Sequence, residues 1–199
     1  MKPMPPLPAP PLLVITDRRQ ATLPLPQLLD QVFAAGCRWA SVREKDLAPS
    51  DRLDLVRQLR PIARHHGALL TVHGDLTAAV LCDGVHLGAG GDVAAARARL
   101  GPQALVGLSR HHPNAGLGGA DYATLSPIYE TPSKPGYGPA LGPEALSRLP
   151  GALALGGITP ANAAQARAAG AAGLAVMGTV MRASDPGAVV RALLAAWGA

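Results

Sequence analysis

The chain holds three lysines, and two of them stand among other groups that bind anions. Lys45 belongs to Ser41-Val42-Arg43-Glu44-Lys45-Asp46. There the Arg43 guanidinium can grip an oxyanion through two N–H donors, and the ammonium adds a point charge. Lys134 ends Thr131-Pro132-Ser133-Lys134, which offers an oxyanion two hydroxyls and a second ammonium. The other reading of the first segment is a surface cluster that pairs internally. The other reading of the second is a Pro/Gly-rich lid without a ligand. Glycines add backbone donors: Gly156 and Gly157, with Met177 and Gly178 at a later apolar run, let amide groups approach a phosphate closely. Proton transfer would fall to His73, His86 and His111, although a lone histidine is more often a structural hydrogen-bonder. Asp92 reads equally as a helix cap. There is no HExxH, GxSxG or P-loop.

The elements that must position these groups alternate in kind. Eight short apolar runs, each bounded by Gly, Asp or Pro, read as strands buried on both faces: 12–16, 39–43, 68–72, 84–87, 105–109, 122–126, 152–155 and 174–177. The intervals carry helix patterns. Leu25, Leu28, Leu29, Val32 and Phe33 share a face that Gly36 ends, and Leu53, Val56, Leu59 and Ile62 follow a cap at Ser50, with Pro61 as a kink. Thr159-Pro160 and Asp185-Pro186 are cap-plus-proline starts, and the intervals after the third and fifth strands leave room for one or two helical turns. Eight strands alternating with helices predict a single (β/α)8 barrel over residues 12–199, preceded by a proline-rich flexible tail at 1–11. A doubly wound open sheet is the competing fold, and the absence of GxGxxG weighs against it. In a barrel the C-terminal strand ends and the loops after them carry function, and every group named above falls at such an end or in such a loop.

Composition narrows the class. With 48% apolar and 16% charged residues in 199, a disordered chain is excluded. Two distant cysteines, Cys37 and Cys82, exclude a disulfide scaffold and a four-thiolate zinc site. A net charge of +5 could suggest nucleic acid, but the arginines are scattered and aromatics are 3%, too few for a stacking platform. The basic excess favours anionic small molecules. No apolar run reaches membrane-spanning length and no signal peptide is seen, so the expectation is a cytoplasmic protein with neither nucleic-acid nor membrane partners. The apolar side of the last helix could pack on a second copy, making a homo-oligomer possible.

These segments, in this order, resemble the thiamine phosphate synthase/TenI superfamily. The pieces are ITD at 15–17, VREKD at 42–46, DGVHLG at 83–88, GLS at 107–109 with His111, ADY at 120–122, TPSK at 131–134, GGIT at 156–159 and AGAAGLAVMG at 169–178. The resemblance runs from Leu12 to about Asp185. It implies a (β/α)8 barrel that handles a thiazole phosphate late in thiamine biosynthesis. One branch is the synthase, which joins hydroxymethylpyrimidine pyrophosphate to thiazole phosphate and uses Mg2+. The other is a thiazole tautomerase, which aromatises a carboxythiazole phosphate without a metal.

Carried over residue by residue, the resemblance makes Arg43 and Lys45 contacts of the pyrimidine pyrophosphate. Thr131, Ser133 and Lys134 become the phosphate and pyrophosphate loop, and Gly156 and Gly157 the phosphate site. Three positions depart from the synthase: Ser41 stands for its Gln, His73-Gly74 for its Asn-Asp, and Gly91 for its second metal Asp. Asp75 and Asp92 each lie one position beyond. Pro127 stands where the tautomerase has its catalytic His, with His73, His86 and His111 as substitutes. The expectation is a tautomerase without a metal cofactor. The alternatives are a synthase, with Mg2+, and a non-catalytic binder of thiamine phosphates or their precursors.

Overall fold

The computed structural model describes residues 7–131 and 139–199. Its eight strands are β1 (Leu12–Ile15), β2 (Trp39–Val42), β3 (Leu69–His73), β4 (Gly84–Leu87), β5 (Leu105–Arg110), β6 (Tyr122–Leu125), β7 (Ala152–Leu155) and β8 (Gly173–Val176). All are parallel, and they close in chain order, with β8 pairing β1 through Leu12–Leu174 and Val14–Val176. This is the (β/α)8 barrel that the alternation predicts. The helices are α1 (Leu25–Ala34), α2 (Pro49–His65), α3 (Leu76–Ala79), α4 (Val93–Leu100), α5 (Pro160–Ala168), α6 (Gly178–Met181) and α7 (Pro186–Trp197), with a 3₁₀ turn at Pro143–Arg148.

The period of two along each strand divides the core. Leu12 and Val14, Ala40 and Val42, Leu70 and Val72, Leu174 and Val176 face the helices. Leu13, Ile15, Trp39, Leu105, Tyr122, Leu153 and Ala175 fill the barrel. Two of the few aromatics meet there edge to face, Trp39 and Tyr122 with centroids 4.7 Å apart. Gly107 makes this possible, because a Cβ at that position would run into the Tyr122 ring. At the other end the barrel is floored by Leu7 and by Pro11, whose carbonyl accepts the Leu174 N–H at 2.8 Å. Of the expected tail, residues 1–6 lie outside the described residues.

Two local expectations are corrected. The α2 helix is capped by Ala48 with Pro49 in its first turn, and Ser50 is already helical. The fixed φ of proline suits the first helical position and overrides the serine. No helix follows β5: Gly116, Gly118 and Gly119 all take positive φ, and the segment is a loop that Arg110 pins through Gly116 O and Ala89 O. The one-turn α3 and the capped starts at Thr159 and Asp185 are as expected. The apolar side of α7, read as a surface for a second copy, packs in the same chain against α1 and α5, burying Val190, Leu193 and Trp197. No helix of the described residues is long and apolar enough to cross a membrane.

Candidate anion-binding site

A cavity of about 860 Å³ opens at the C-terminal ends of the strands. Its first wall is built from the ends of β1 and β2. The buried Thr16 hydroxyl donates to Glu44 Oε1 at 2.7 Å and accepts the Arg43 N–H at 3.0 Å. Glu44, 2% exposed, also accepts the Arg18 N–H on both oxygens at 3.1 Å and Arg18 Nη1 at 3.2 Å. The same guanidinium holds Asp46 at 2.7 and 2.9 Å, which keeps that carboxyl below its ordinary range. The charge run is therefore split by alternation. Glu44 and Asp46 turn to Arg18, while Arg43 and Lys45 line the cavity. No ion pair among the described residues uses either cation. Partial burial, and then the adjacent charge of Arg43, lower the pKa of Lys45. Two cations side by side without a carboxylate partner create demand for an anion.

The second wall follows β7 and β8, on the far side of β1 in the strand order. Gly156, Gly157, Met177 and Gly178 all line the cavity, so the two glycine segments face one mouth. Gly156 and Gly157 take φ of 95° and 65°. Their missing side chains serve packing as well as access. A Cβ at 156 would lie 2.8 Å from Pro127 Cα, and one at 157 would lie 2.7 Å from Tyr129 Cβ. The segment after β6 is laced across them by Ile128 N–H to Leu155 O at 2.9 Å and Tyr129 N–H to Gly156 O at 3.0 Å. That brings Glu130 and Thr131 to the rim. The start of α5 is closed on itself, since the Thr159 N–H donates to Asn162 Oδ1 at 2.8 Å. Ser133 and Lys134 lie outside the described residues.

Histidines lie between the walls. His86 is 1% exposed, with Nδ1 3.0 Å from the Tyr122 hydroxyl and Nε2 3.0 Å from Ser109 Oγ. Burial pushes its pKa down to about 3, so the ring stays neutral inside the barrel. The His73 ring stacks above it, tilted, at 4.7 Å. His111 Nδ1 sits 3.0 Å from the Ser126 carbonyl, which can only accept. The Nδ1 position therefore carries a proton in this contact. All three rings line the cavity, His86 as a fully hydrogen-bonded part of its floor.

The carboxylates that would hold a divalent cation are otherwise engaged. Asp75 caps α3 through the N–H groups of Thr77 and Ala78 and pairs with Arg52 at 2.8 Å, while Asp92 caps α4 through Ala95 at 2.9 Å. Neither 1–6 nor 132–138 contains a His, Cys, Asp or Glu, and no three such groups gather elsewhere. Among the described residues no cluster would hold Mg2+ by protein groups alone in the near-octahedral array it prefers. The lining carboxylate among the described residues is Glu130.

Sequence reasoning missed Arg182, whose side chain lines the cavity beside Thr179. A signal existed: Arg182 stands four residues after Gly178, one helical turn on. Ser109 and Thr124, which line the floor beside His86, were also passed over. Their inward orientation follows from the period of two along β5 and β6, whose Leu105 and Tyr122 fill the barrel.

Comparison with known proteins agrees with this architecture. Residues 12–180 match the family model described as thiamine monophosphate synthase. A putative thiamine-phosphate synthase of Geobacter sulfurreducens is 40% identical over 198 residues, covering 92% of each chain. The bifunctional protein ThiM/ThiE of Symbiobacterium thermophilum is 44% identical over 181 residues, but the chain spans only 38% of its length. Among solved structures, a thiamine phosphate pyrophosphorylase from Pyrococcus furiosus superposes with a TM-score of 0.82 at 26% identity, over 94% of this chain and 95% of that one.

Proposed function

Because the chain belongs to the thiamine monophosphate synthase family, we propose that it is the synthase, the alternative to the tautomerase expected from its sequence. It joins hydroxymethylpyrimidine pyrophosphate to thiazole phosphate and releases pyrophosphate. The observation that supports this most is the pair of anion-demanding walls on either side of β1. Arg43 and Lys45, without a carboxylate partner among the described residues, form one. The glycine segments after β7 and β8 form the other. A coupling of two phosphorylated substrates needs two such places, whereas an isomerisation of one phosphorylated thiazole needs one.

In the reaction the thiazole nitrogen gives its electron pair to the pyrimidine methylene carbon. The bond from that carbon to oxygen breaks, and its electrons leave on pyrophosphate. Negative charge grows where Arg43 and Lys45 are fixed, and preorganised cations aimed at developing charge are the strongest device a site of this kind has. The Thr16–Glu44 contact holds the Arg43 backbone so that no reorganisation is needed at that moment. The second wall fixes the thiazole phosphate and so aligns its nitrogen with the methylene carbon. No step is assigned to a metal ion, since no cluster of described residues would hold one by itself.

The tautomerase is the second reading. It is favoured by His111, whose ring lines the cavity and is oriented through Nδ1 on the Ser126 carbonyl. Against it stand Pro127 in place of the branch's histidine and the names carried by the relatives. Incubation of the purified chain with both precursors decides the matter. The expected result is thiamine phosphate and pyrophosphate in equal amounts. Isomerisation of carboxythiazole phosphate without coupling would overturn it.

A further inference from the structure

We propose that Arg182 binds the substrate phosphate at the β7/β8 wall, and that Gln20 holds its guanidinium in place when the wall is empty. The inference rests on the reading of that wall as the thiazole phosphate site. Arg182 lines the cavity and lies directly across Gly178, where any Cβ would collide with its guanidinium. The glycine expected to let a phosphate approach the backbone thus also seats a cation. An arginine stays charged at any working pH, yet no ion pair among the described residues includes this one. Its partner is a neutral amide oxygen, Gln20 Oε1. Gln20 is itself oriented, donating through Nε2 to Asp17 Oδ2 at 2.6 Å, while Asp17 Oδ1 accepts the Arg19 N–H at 3.1 Å. The loop after β1 therefore fixes the guanidinium from one side through one of its five donors. Among the described residues the other donors are left for a group with several acceptor oxygens, and a phosphate oxyanion presents such a set in the matching fork geometry.

The chemical consequence is selectivity. Glycine amides bind a phosphate, but a guanidinium adds a full charge that an alcohol or a neutral ester cannot use. Arg182 accordingly sets the preference for the phosphorylated thiazole over the free thiazole alcohol.

Calorimetric titration of the intact chain with thiazole phosphate, thiazole alcohol and pyrophosphate tests this. Arg182→Ala should weaken thiazole phosphate binding by about tenfold or more, the loss expected for charged hydrogen bonds. It should leave the affinity for the alcohol and for pyrophosphate within about twofold, a spread too small to count as a lost contact. Arg182→Lys should recover part of the loss, since charge returns without the fork, and Gln20→Ala should cause a smaller loss confined to the phosphate. Equal losses for all three ligands would show a structural role and overturn the proposal, as would no loss for any. The test is separate from turnover. If thiazole phosphate binds with this dependence but no coupling product forms, the synthase reading falls and the role of Arg182 stands. If coupling proceeds and Arg182→Ala leaves phosphate binding intact, the reverse holds.

Discussion

Thr16 Oγ1 donates to Glu44 Oε1 at 2.7 Å, and this one contact joins the ends of β1 and β2 beneath the first wall of the cavity. Glu44 collects donors from Thr16 and Arg18, and it is buried at 2% exposure. Removing the carboxylate leaves those donors unsatisfied. Glu44→Ala should therefore lower stability by about 2–4 kcal/mol, in the range for a buried charged acceptor. Glu44→Gln, which keeps the shape and one acceptor oxygen, should lose less. Chemical denaturation of the two variants measures the difference. Because the Arg43 N–H also rests on Thr16, Glu44→Gln should weaken pyrophosphate binding even where the fold survives.

Lys45 gives a pH signature to the same wall. Its pKa is lowered by partial burial and by Arg43 beside it. A bound pyrophosphate reverses the second cause and raises the pKa again. The complex then holds more protons than the free chain at pH values between the lowered and the raised value. By linkage, affinity falls as pH climbs through that interval and is unaffected well below it. Titration of pyrophosphate in buffers of different ionisation enthalpy should show proton uptake on the alkaline side, and Lys45→Gln should abolish it. Uptake that persists in Lys45→Gln would assign the proton elsewhere.

Much of this arrangement is legible in the sequence, and the exceptions have physical causes. The eight strands declare themselves because both faces are buried, so each is a short apolar run with a breaker at either end. Which loops meet at the mouth then follows from closure alone. The roles within the loops are harder. Arg43 and Lys45 were separable from Glu44 and Asp46 only by knowing that Arg18 stands behind them. Gly178 reads as an anion contact, whereas the structure adds the Arg182 guanidinium one turn on, which the i, i+4 spacing allows but does not by itself place at the cavity. His86 looks like an acid/base residue from its place after a strand, yet Tyr122 and Ser109, 36 and 23 residues away, occupy both of its nitrogens. The Ser50 cap failed because the neighbouring proline at 49 competes for the same turn.

The donor set makes a prediction about Mg2+. Asp75 is held by Arg52 and two amide N–H groups, and Asp92 by the N–H of Ala95. Drawing Asp75 to a cation through Oδ2 would break its pair with Arg52, and drawing either residue through Oδ1 would compete with a helix cap. The chain alone should therefore show no saturable Mg2+ binding by calorimetry up to about millimolar concentration, the affinity range of weak oxygen-ligand sites. Tight binding by the free chain, lost in Asp75→Asn, would overturn this account of the two aspartates.

Burial of His86 as a neutral ring opposes folding at acid pH. Its ordinary pKa of 6.5 describes the unfolded chain, and burial brings the folded value to about 3. Between those values the unfolded chain binds a proton that the folded chain refuses. Stability is therefore untouched by this group above pH 6.5, and it falls as pH drops below that point, by up to about 1.4 kcal/mol per pH unit. Carboxylates elsewhere also titrate toward the bottom of this window, so the measurement is a difference. Unfolding free energies of the native chain and of His86→Gln should be compared at several pH values from 6.5 down to 4.5. Glutamine keeps one donor and one acceptor for Tyr122 and Ser109 but has no proton to gain, so its line should be shallower by about one proton. Parallel lines would mean that the ring is charged or exposed in the folded barrel, and the neutral floor of the cavity would have to be abandoned.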